Sequence, residues 1–201
     1  GEPGVSRPLT VVLTGAECTG KTTLARRLAA RFEAGWVEEE ARLYASRVGR
    51  DLTAADVEPI ARGHLAAVAA ARERPGRLLV LDTDLVSTVV YAEHYYGSCP
   101  GWIRAAAAKG RADLYLLNLP DVPWVAEPRQ RAAADPRTEQ HARFRELLAE
   151  IGAEVVEISG DWGERERRAV MAIEERLEGW REKGAGAARG PRAGGSGRGP
   201  S

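Results

Sequence analysis

The segment Gly15-Ala16-Glu17-Cys18-Thr19-Gly20-Lys21-Thr22 constrains this chain more than any other, because it fits G-x-x-x-x-G-K-[ST]. Its two glycines let the backbone bend until peptide N–H groups converge on phosphate oxygens. Such a loop works only between a buried strand and a helix whose positive dipole end adds to the same spot. Both neighbours are present. Thr10 to Thr14 is a short β-branched apolar run ended by Gly15, and Lys21 to Phe32 carries Leu24, Leu28 and Phe32 at helical spacing. In this setting Lys21 reaches the β- and γ-phosphates of a nucleotide and the Thr22 hydroxyl ligates magnesium. Cys18, inside the loop, reads as a small filler, with an oxidisable thiol as the other reading.

The rest of the chain repeats the strand–helix alternation. Strands are expected at Trp36–Val37, Leu78–Leu81, Leu114–Leu117 and Val155–Ile158. Helices are expected from Leu52 to about Arg74, with Thr53 and Asp56 as a capping box, and at Leu85–Tyr95. Further helices fit Pro100–Ala108, Thr138–Ile151 and about Glu164–Lys183. Pro59 falls in the first turn of the helix after Leu52. This pattern predicts an α/β fold of the P-loop NTPase kind: a five-stranded parallel sheet with helices on both faces. In such sheets ligands bind beyond the carboxyl ends of the strands, where the sharpest signals of this sequence also fall.

Two carboxylate clusters stand at those ends. Leu78 to Asp84 delivers Asp82 from an apolar strand, the form of a magnesium-holding carboxylate close to Thr22. Asp84 is a second candidate for catalysis or substrate binding, with capping of the next helix as its other reading. After the second strand, Glu39 is placed to accept a proton from an attacking sugar hydroxyl or to fix a sugar diol. Arg42, one helical turn on, can hold Glu39 or the transferring phosphoryl group. The other reading of Glu38 to Glu40 is a solvated acidic helix start. After the fourth strand, Arg129, Arg131 and Arg137 sit in a loop with Pro128 and Pro136, a candidate lid that excludes water and stabilises charge in the transition state. Trp36, Trp102, Trp124 and the pair Tyr95-Tyr96 are candidates to stack a flat ring, with core packing as the commoner role. His64 reads as a core or rim residue.

Composition narrows the partners. The 201 residues suit one domain, here 10–183, with an extension at 1–9 and a Gly/Ala/Arg/Pro-rich tail at 184–201 that lacks large apolar anchors. Twenty-nine basic residues balance 29 acidic ones, which argues against a dedicated nucleic-acid or anionic-membrane surface. Two cysteines, and no run of about 18 apolar residues, point to a reducing, cytoplasmic setting without a membrane span. Neither monomer nor homo-oligomer is favoured by the sequence.

The order LTGAECTGKTTLARRLA, VEEEAR (Val37–Arg42), DTDLVSTVVYAEHYYG (Asp82–Gly97), DVPWV (Asp121–Val125) and VVEISG (Val155–Gly160) resembles the nicotinamide-riboside kinase domain of NadR-type proteins, a group of P-loop ATPases. The resemblance runs from about Thr10 to Leu177. It implies phosphoryl transfer from ATP, with magnesium, to the ribose 5′-hydroxyl of nicotinamide riboside. By the same resemblance Gly15 to Thr23, Thr23 included, hold ATP, and Glu39, Arg42, Asp82 and Asp84 serve the acceptor and metal. Two positions depart from the family. Cys18 stands where serine or threonine is usual, and Gln130 stands at the arginine position of the D-D-G-x-R segment, with Arg129 and Arg131 on either side. The further adenylyltransferase and DNA-binding domains of NadR-type proteins do not fit this length, so a stand-alone kinase is expected. A kinase of another nucleoside or nucleotide, and a nucleotide-switch or lipid-associated NTPase, remain the alternatives.

Overall fold

A computed structural model describes residues 7–123 and 135–187. Five strands form one sheet: β1 (Leu9–Thr14), β2 (Gly35–Val37), β3 (Leu78–Asp82), β4 (Leu114–Asn118) and β5 (Val155–Ile158). Their order is β2-β3-β1-β4-β5, and every pairing is parallel. Seven α-helices join or follow them: α1 (Lys21–Arg31), α2 (Glu40–Val48), α3 (Val57–Arg72), α4 (Leu85–Tyr96), α5 (Gly101–Lys109), α6 (Arg137–Glu150) and α7 (Trp162–Ala187).

The strands are continuously apolar because both faces of the sheet are covered. Alternate residues of β1, β3 and β4 divide between two cores. Val11, Leu13, Leu78, Val80, Leu114 and Leu116 pack against Leu24 and Leu28 of α1 and Val170 and Ile173 of α7. Val12, Leu79, Leu81, Tyr115 and Leu117 pack on the other face against α3, α4, α5 and α6. The chain leaves β1 toward β2 across one face and leaves β3 toward β4 across the opposite face. A crevice therefore opens beyond the ends of β1 and β3, the topological switch point of the sheet.

The structure departs from the sequence reading at element ends. The residues after Glu39 form a helix of their own, α2, closed by Gly49 in the left-handed conformation at φ 64°. The capping box of Thr53 and Asp56 is present, but it starts a 3₁₀ turn (Ala54–Asp56) ahead of α3 rather than α3 itself. Strand β1 begins at Leu9, and Arg7 binds Asp113 through both oxygens at 2.8 Å, so the fold reaches into the expected N-terminal extension. At the other end α7 continues through Gly184 to Ala187, into the segment read as a tail.

His64 of α3 is buried, and burial lowers its pKa from 6.5 to about 4, with Glu40 opposing the shift and Arg72 adding to it. The unfolded chain therefore takes up this proton first as pH falls, and stability drains between about 6.5 and 4. Replacing His64 with Leu is expected to flatten that part of the stability profile. Urea unfolding at a series of pH values checks this, and parallel profiles for the two proteins would contradict it.

Candidate functional site

The loop after β1 is strapped from outside by its carbonyl oxygens. Tyr91 of α4 donates its hydroxyl to Gly15 O at 3.1 Å, and Asn118, at the end of β4, donates Nδ2 to Thr19 O at 2.9 Å. The Thr19 hydroxyl and Lys21 Nζ both donate to Ala16 O, at 2.9 and 2.6 Å. In a trans peptide the N–H points opposite to the C=O, so the N–H groups of Ala16 and Gly20 face away from Tyr91 and Asn118. Gly15 has φ +126°, and a Cβ there would lie 2.6 Å from Asn118 O, so only glycine fits against β4. Cys18 sits exposed in the loop at φ 54°.

Five of the expected polar groups meet at the crevice. The Thr22 hydroxyl donates to Asp82 Oδ2 at 2.6 Å and accepts from Arg42 Nη2 at 3.0 Å. Arg42 also lies 3.9 Å from Glu39 Oε1. Lys21 is buried, which lowers its pKa, while the negative charges of Glu39 and then Asp82 oppose the shift. Burial raises the pKa of Glu39 and of Asp82, and the Lys21 ammonium opposes both shifts. Ammonium and carboxylates thus hold one another charged in a site that disfavours each alone.

Asp82 Oδ1 is buried and has no hydrogen-bond partner among the described residues. An orphaned carboxylate oxygen beside a threonine hydroxyl is a hard-oxygen pair of the kind magnesium takes alongside phosphate oxygens and water. The residues present therefore fit the ion that the loop implies.

The acidic run after β2 separates into three environments. Glu38 is exposed, Glu39 turns to the crevice, and Glu40 is buried, paired with Arg47 at 2.5 Å and packed on Gly63. Asp84 goes to the helix-capping reading: Oδ1 accepts from Val86 N at 3.0 Å and Oδ2 from the Tyr115 hydroxyl at 2.7 Å. Burial pushes its carboxyl up to about 6. Between the two aspartates, Thr83 holds φ +68°, a costly conformation for a β-branched residue, with its N–H bonded to Leu13 O at 3.0 Å. That kink lets one short segment aim Asp82 at the crevice and Asp84 into the core.

The lid reading changes for Arg137. Arg137 is buried and clamps the two described ends of its loop, donating to Val122 O at 2.7 Å and pairing with Asp135 at 2.8 Å. Arg129, Arg131 and Trp124 lie outside the described residues. Of the ring candidates, Trp36 packs on the core with α1, while Trp102 bonds Glu58 under the guanidinium of Arg62. Tyr95 bonds Glu17, and Gln140 Nε2 donates to the same Glu17 at 2.8 Å. Asn118, Tyr91 and Gln140 escape a reading by motif, because their partners are 99, 76 and 123 residues away. An asparagine closing an apolar strand run was the one visible signal.

A family model described as an AAA domain matches residues 10–165. The chain belongs to this AAA-domain family. The domain is also 30% identical over 174 residues to the trifunctional NAD biosynthesis/regulator protein NadR of Escherichia coli strain K12, covering 84% of this chain and 42% of that protein. Two solved structures of NadR proteins share its fold at 30% identity. One, in complex with NR, has a TM-score of 0.69 over 84% of this chain and 49% of its own. The other, in complex with NAD and AMP-PNP, reaches 0.72 over 85% and 50%. The AAA domain thus spans about half the length, or less, of these relatives. No helix among its described residues is long and apolar enough to cross a membrane.

The capping geometry of Asp84 gives a direct test. Asp84→Ala removes the cap of α4 and leaves the Tyr115 hydroxyl buried without its acceptor, a loss of at least about 2 kcal/mol in urea unfolding. Asp84→Asn keeps an acceptor for Val86 N and is expected to cost less than about 1 kcal/mol. Equal losses for the two would show that the charge, not the cap, matters.

Proposed function

We propose that this chain is an ATP-dependent kinase of a small nucleoside, phosphorylating the ribose 5′-hydroxyl of nicotinamide riboside to nicotinamide mononucleotide. The observation that carries this reading is the meeting of Lys21, Thr22, Glu39, Arg42 and Asp82 at the mouth of a strapped phosphate loop. Support for the acceptor comes from the NadR relatives, one solved with NR and one with NAD and AMP-PNP.

In this reading the residues Gly15 to Thr23 cradle the triphosphate, and the Lys21 ammonium neutralises charge on its β- and γ-phosphoryl oxygens. Thr22 and Asp82 would hold magnesium, which when bound would supply further positive charge to offset that of the phosphates. Glu39 takes the proton of the 5′-hydroxyl. Its raised pKa makes it a better proton acceptor than an exposed carboxylate, and Lys21 and Arg42 keep it ionised. The acceptor oxygen forms a bond to the γ-phosphorus as the bond from that phosphorus to the β,γ-bridging oxygen breaks. The proton stays on Glu39 and ADP departs with the electron pair. Arg42, now on Thr22 and within reach of Glu39, steadies the transferring group. Asp84 serves by holding the start of α4 beside the acceptor. Arg131, in the segment whose ends Arg137 ties together, is the candidate lid arginine.

A coupled ADP-release assay over a panel of nucleosides tests the acceptor. Nicotinamide riboside is expected to stimulate turnover well above the ATP-only rate. A different nucleoside as the best acceptor would redirect the substrate, and slow turnover that no acceptor stimulates would replace the kinase with a nucleotide switch. Lys21→Ala is expected to abolish transfer while the chain still folds cooperatively. Glu39→Gln and Asp82→Asn should each slow transfer by about a hundredfold or more. Normal turnover in both variants would move the chemistry elsewhere.

A further inference from the structure

Thr10 of β1 carries a buried hydroxyl that its own fold does not use. The residue is 1% exposed, and its Oγ1 has no hydrogen-bond partner among the described residues. A hydroxyl buried unpaired is costly, so it calls for a physical reason. The backbone of Thr10 is already satisfied by one residue: its N–H donates to Asp113 Oδ2 at 2.9 Å, and its C=O accepts from Asp113 N at 3.1 Å. Thr10 shares a face of β1 with Val12, so its side chain points toward the layer that holds α3 and α5. There it lines a cleft of about 230 Å³. Arg72 and Lys109, the last residues of α3 and α5, line the same cleft. The cleft lies at the amino ends of β1 and β4, and β1 has six residues. The phosphate loop is therefore about 20 Å away, at the other end of the sheet.

The cleft holds more positive charge than its frame needs. Arg7 and Asp113 line it as a two-bond pair whose charges cancel. Arg111 donates Nη1 to Ile151 O at 2.7 Å and Gly152 O at 3.1 Å, neutral acceptors that leave its charge in place. Neither Arg72 nor Lys109 has an ion-pair partner among the described residues. The carboxyl ends of α3 and α5 each offset about half a charge, so roughly two positive charges remain. We propose that this cleft is a second anion site, built for a phosphoryl group. Such a group brings about −1.5 to −2 charges and three acceptor oxygens, which match the surplus charge and the several donors. The guanidinium groups and the ammonium supply charge-assisted hydrogen bonds from the walls, and the Thr10 hydroxyl supplies a donor from the floor. A carboxylate would leave both charge and donors over. The occupant is free phosphate or the phosphoryl group of a small ester. It ties the start of β1 to the ends of two helices and so stabilises the folded chain.

The experiment follows backbone amide NMR signals of the ¹⁵N-labelled full chain as inorganic phosphate or phenyl phosphate is added. Gly110 and Ala112 line the cleft, while Gly20 reports on the phosphate loop, so the two sites are read separately. Phosphate is expected to shift Gly110 and Ala112 saturably, and sodium chloride at matched ionic strength is not. The double variant Arg72→Gln, Lys109→Gln should weaken the cleft response by about tenfold or more and leave that of Gly20 unchanged. Thr10→Val has nearly the same shape without the hydroxyl, and it should weaken the cleft response by about tenfold. Tighter binding of phenyl phosphate would support an esterified occupant, and tighter binding of inorganic phosphate a free one. Shifts confined to Gly20 would overturn the second site and leave the phosphate-loop reading standing. Equal shifts with chloride would also overturn it, by showing only screening of surface charge. Unchanged affinity in either variant would overturn it as well, and the double variant, altered only at exposed positions, keeps that test open should Thr10→Val fail to fold.

Discussion

Gly15 meets the backbone of Asn118 at a distance no other residue allows, and the phosphate loop takes its shape from that approach. A loop of six or seven residues free in solvent would sample many turns, and ordering it costs conformational entropy. Here the cost is offset by contacts from three directions. β4 presses on Gly15 and binds Thr19 O, α4 binds Gly15 O, and the loop's own Thr19 and Lys21 bind Ala16 O. With the Gly15 and Thr19 carbonyl oxygens held by Tyr91 and Asn118, the N–H groups of Ala16 and Gly20 are fixed in the opposite direction before any ligand arrives. Preorganised donors of this kind need no rearrangement when charge develops on a phosphoryl group.

The charges around the loop depend on one another in the same way. Lys21, Glu39 and Asp82 are each destabilised as ions by burial; the ammonium compensates both carboxylates and they compensate it, while Asp82 and Glu39 oppose one another. A buried charge without a partner neutralises instead. The site therefore holds its protonation pattern only as a set. Arg42, more exposed, bridges Thr22 and Glu39 and links the loop to the start of α2.

Two features tie the site to the frame beneath it. The strained Thr83 turns the chain so that consecutive acidic positions serve different ends, Asp82 in the crevice and Asp84 in the cap of α4. Glu17, bonded by Tyr95 of α4 and Gln140 of α6, couples the loop to the helix that begins where the arginine-rich segment ends. Movement of α6 would be felt by the loop through one side chain.

The sequence by itself determined the loop, the five strands and the parallel sheet. Each of these is a local pattern: glycines at fixed spacing, or apolar runs too long on both faces for anything but a buried strand. It also marked Lys21, Thr22 and Asp82, whose proposed roles follow from their place at the end of a strand or the start of a helix. What tertiary structure decided is which of several equal candidates turns inward. Glu38, Glu39 and Glu40 look alike in sequence, and only the packing of Glu40 on Gly63 of α3, with its ion pair to Arg47, buries Glu40 and leaves Glu39 at the crevice. Asp84 and Arg137 carried candidate active-site roles by position, and long-range partners, Tyr115 and Val122 O, drew them into structural ones. Asn118 and Tyr91 had no motif at all. Their roles arise from contacts across 76 residues or more, and such contacts exist only once the sheet has brought its strand ends together.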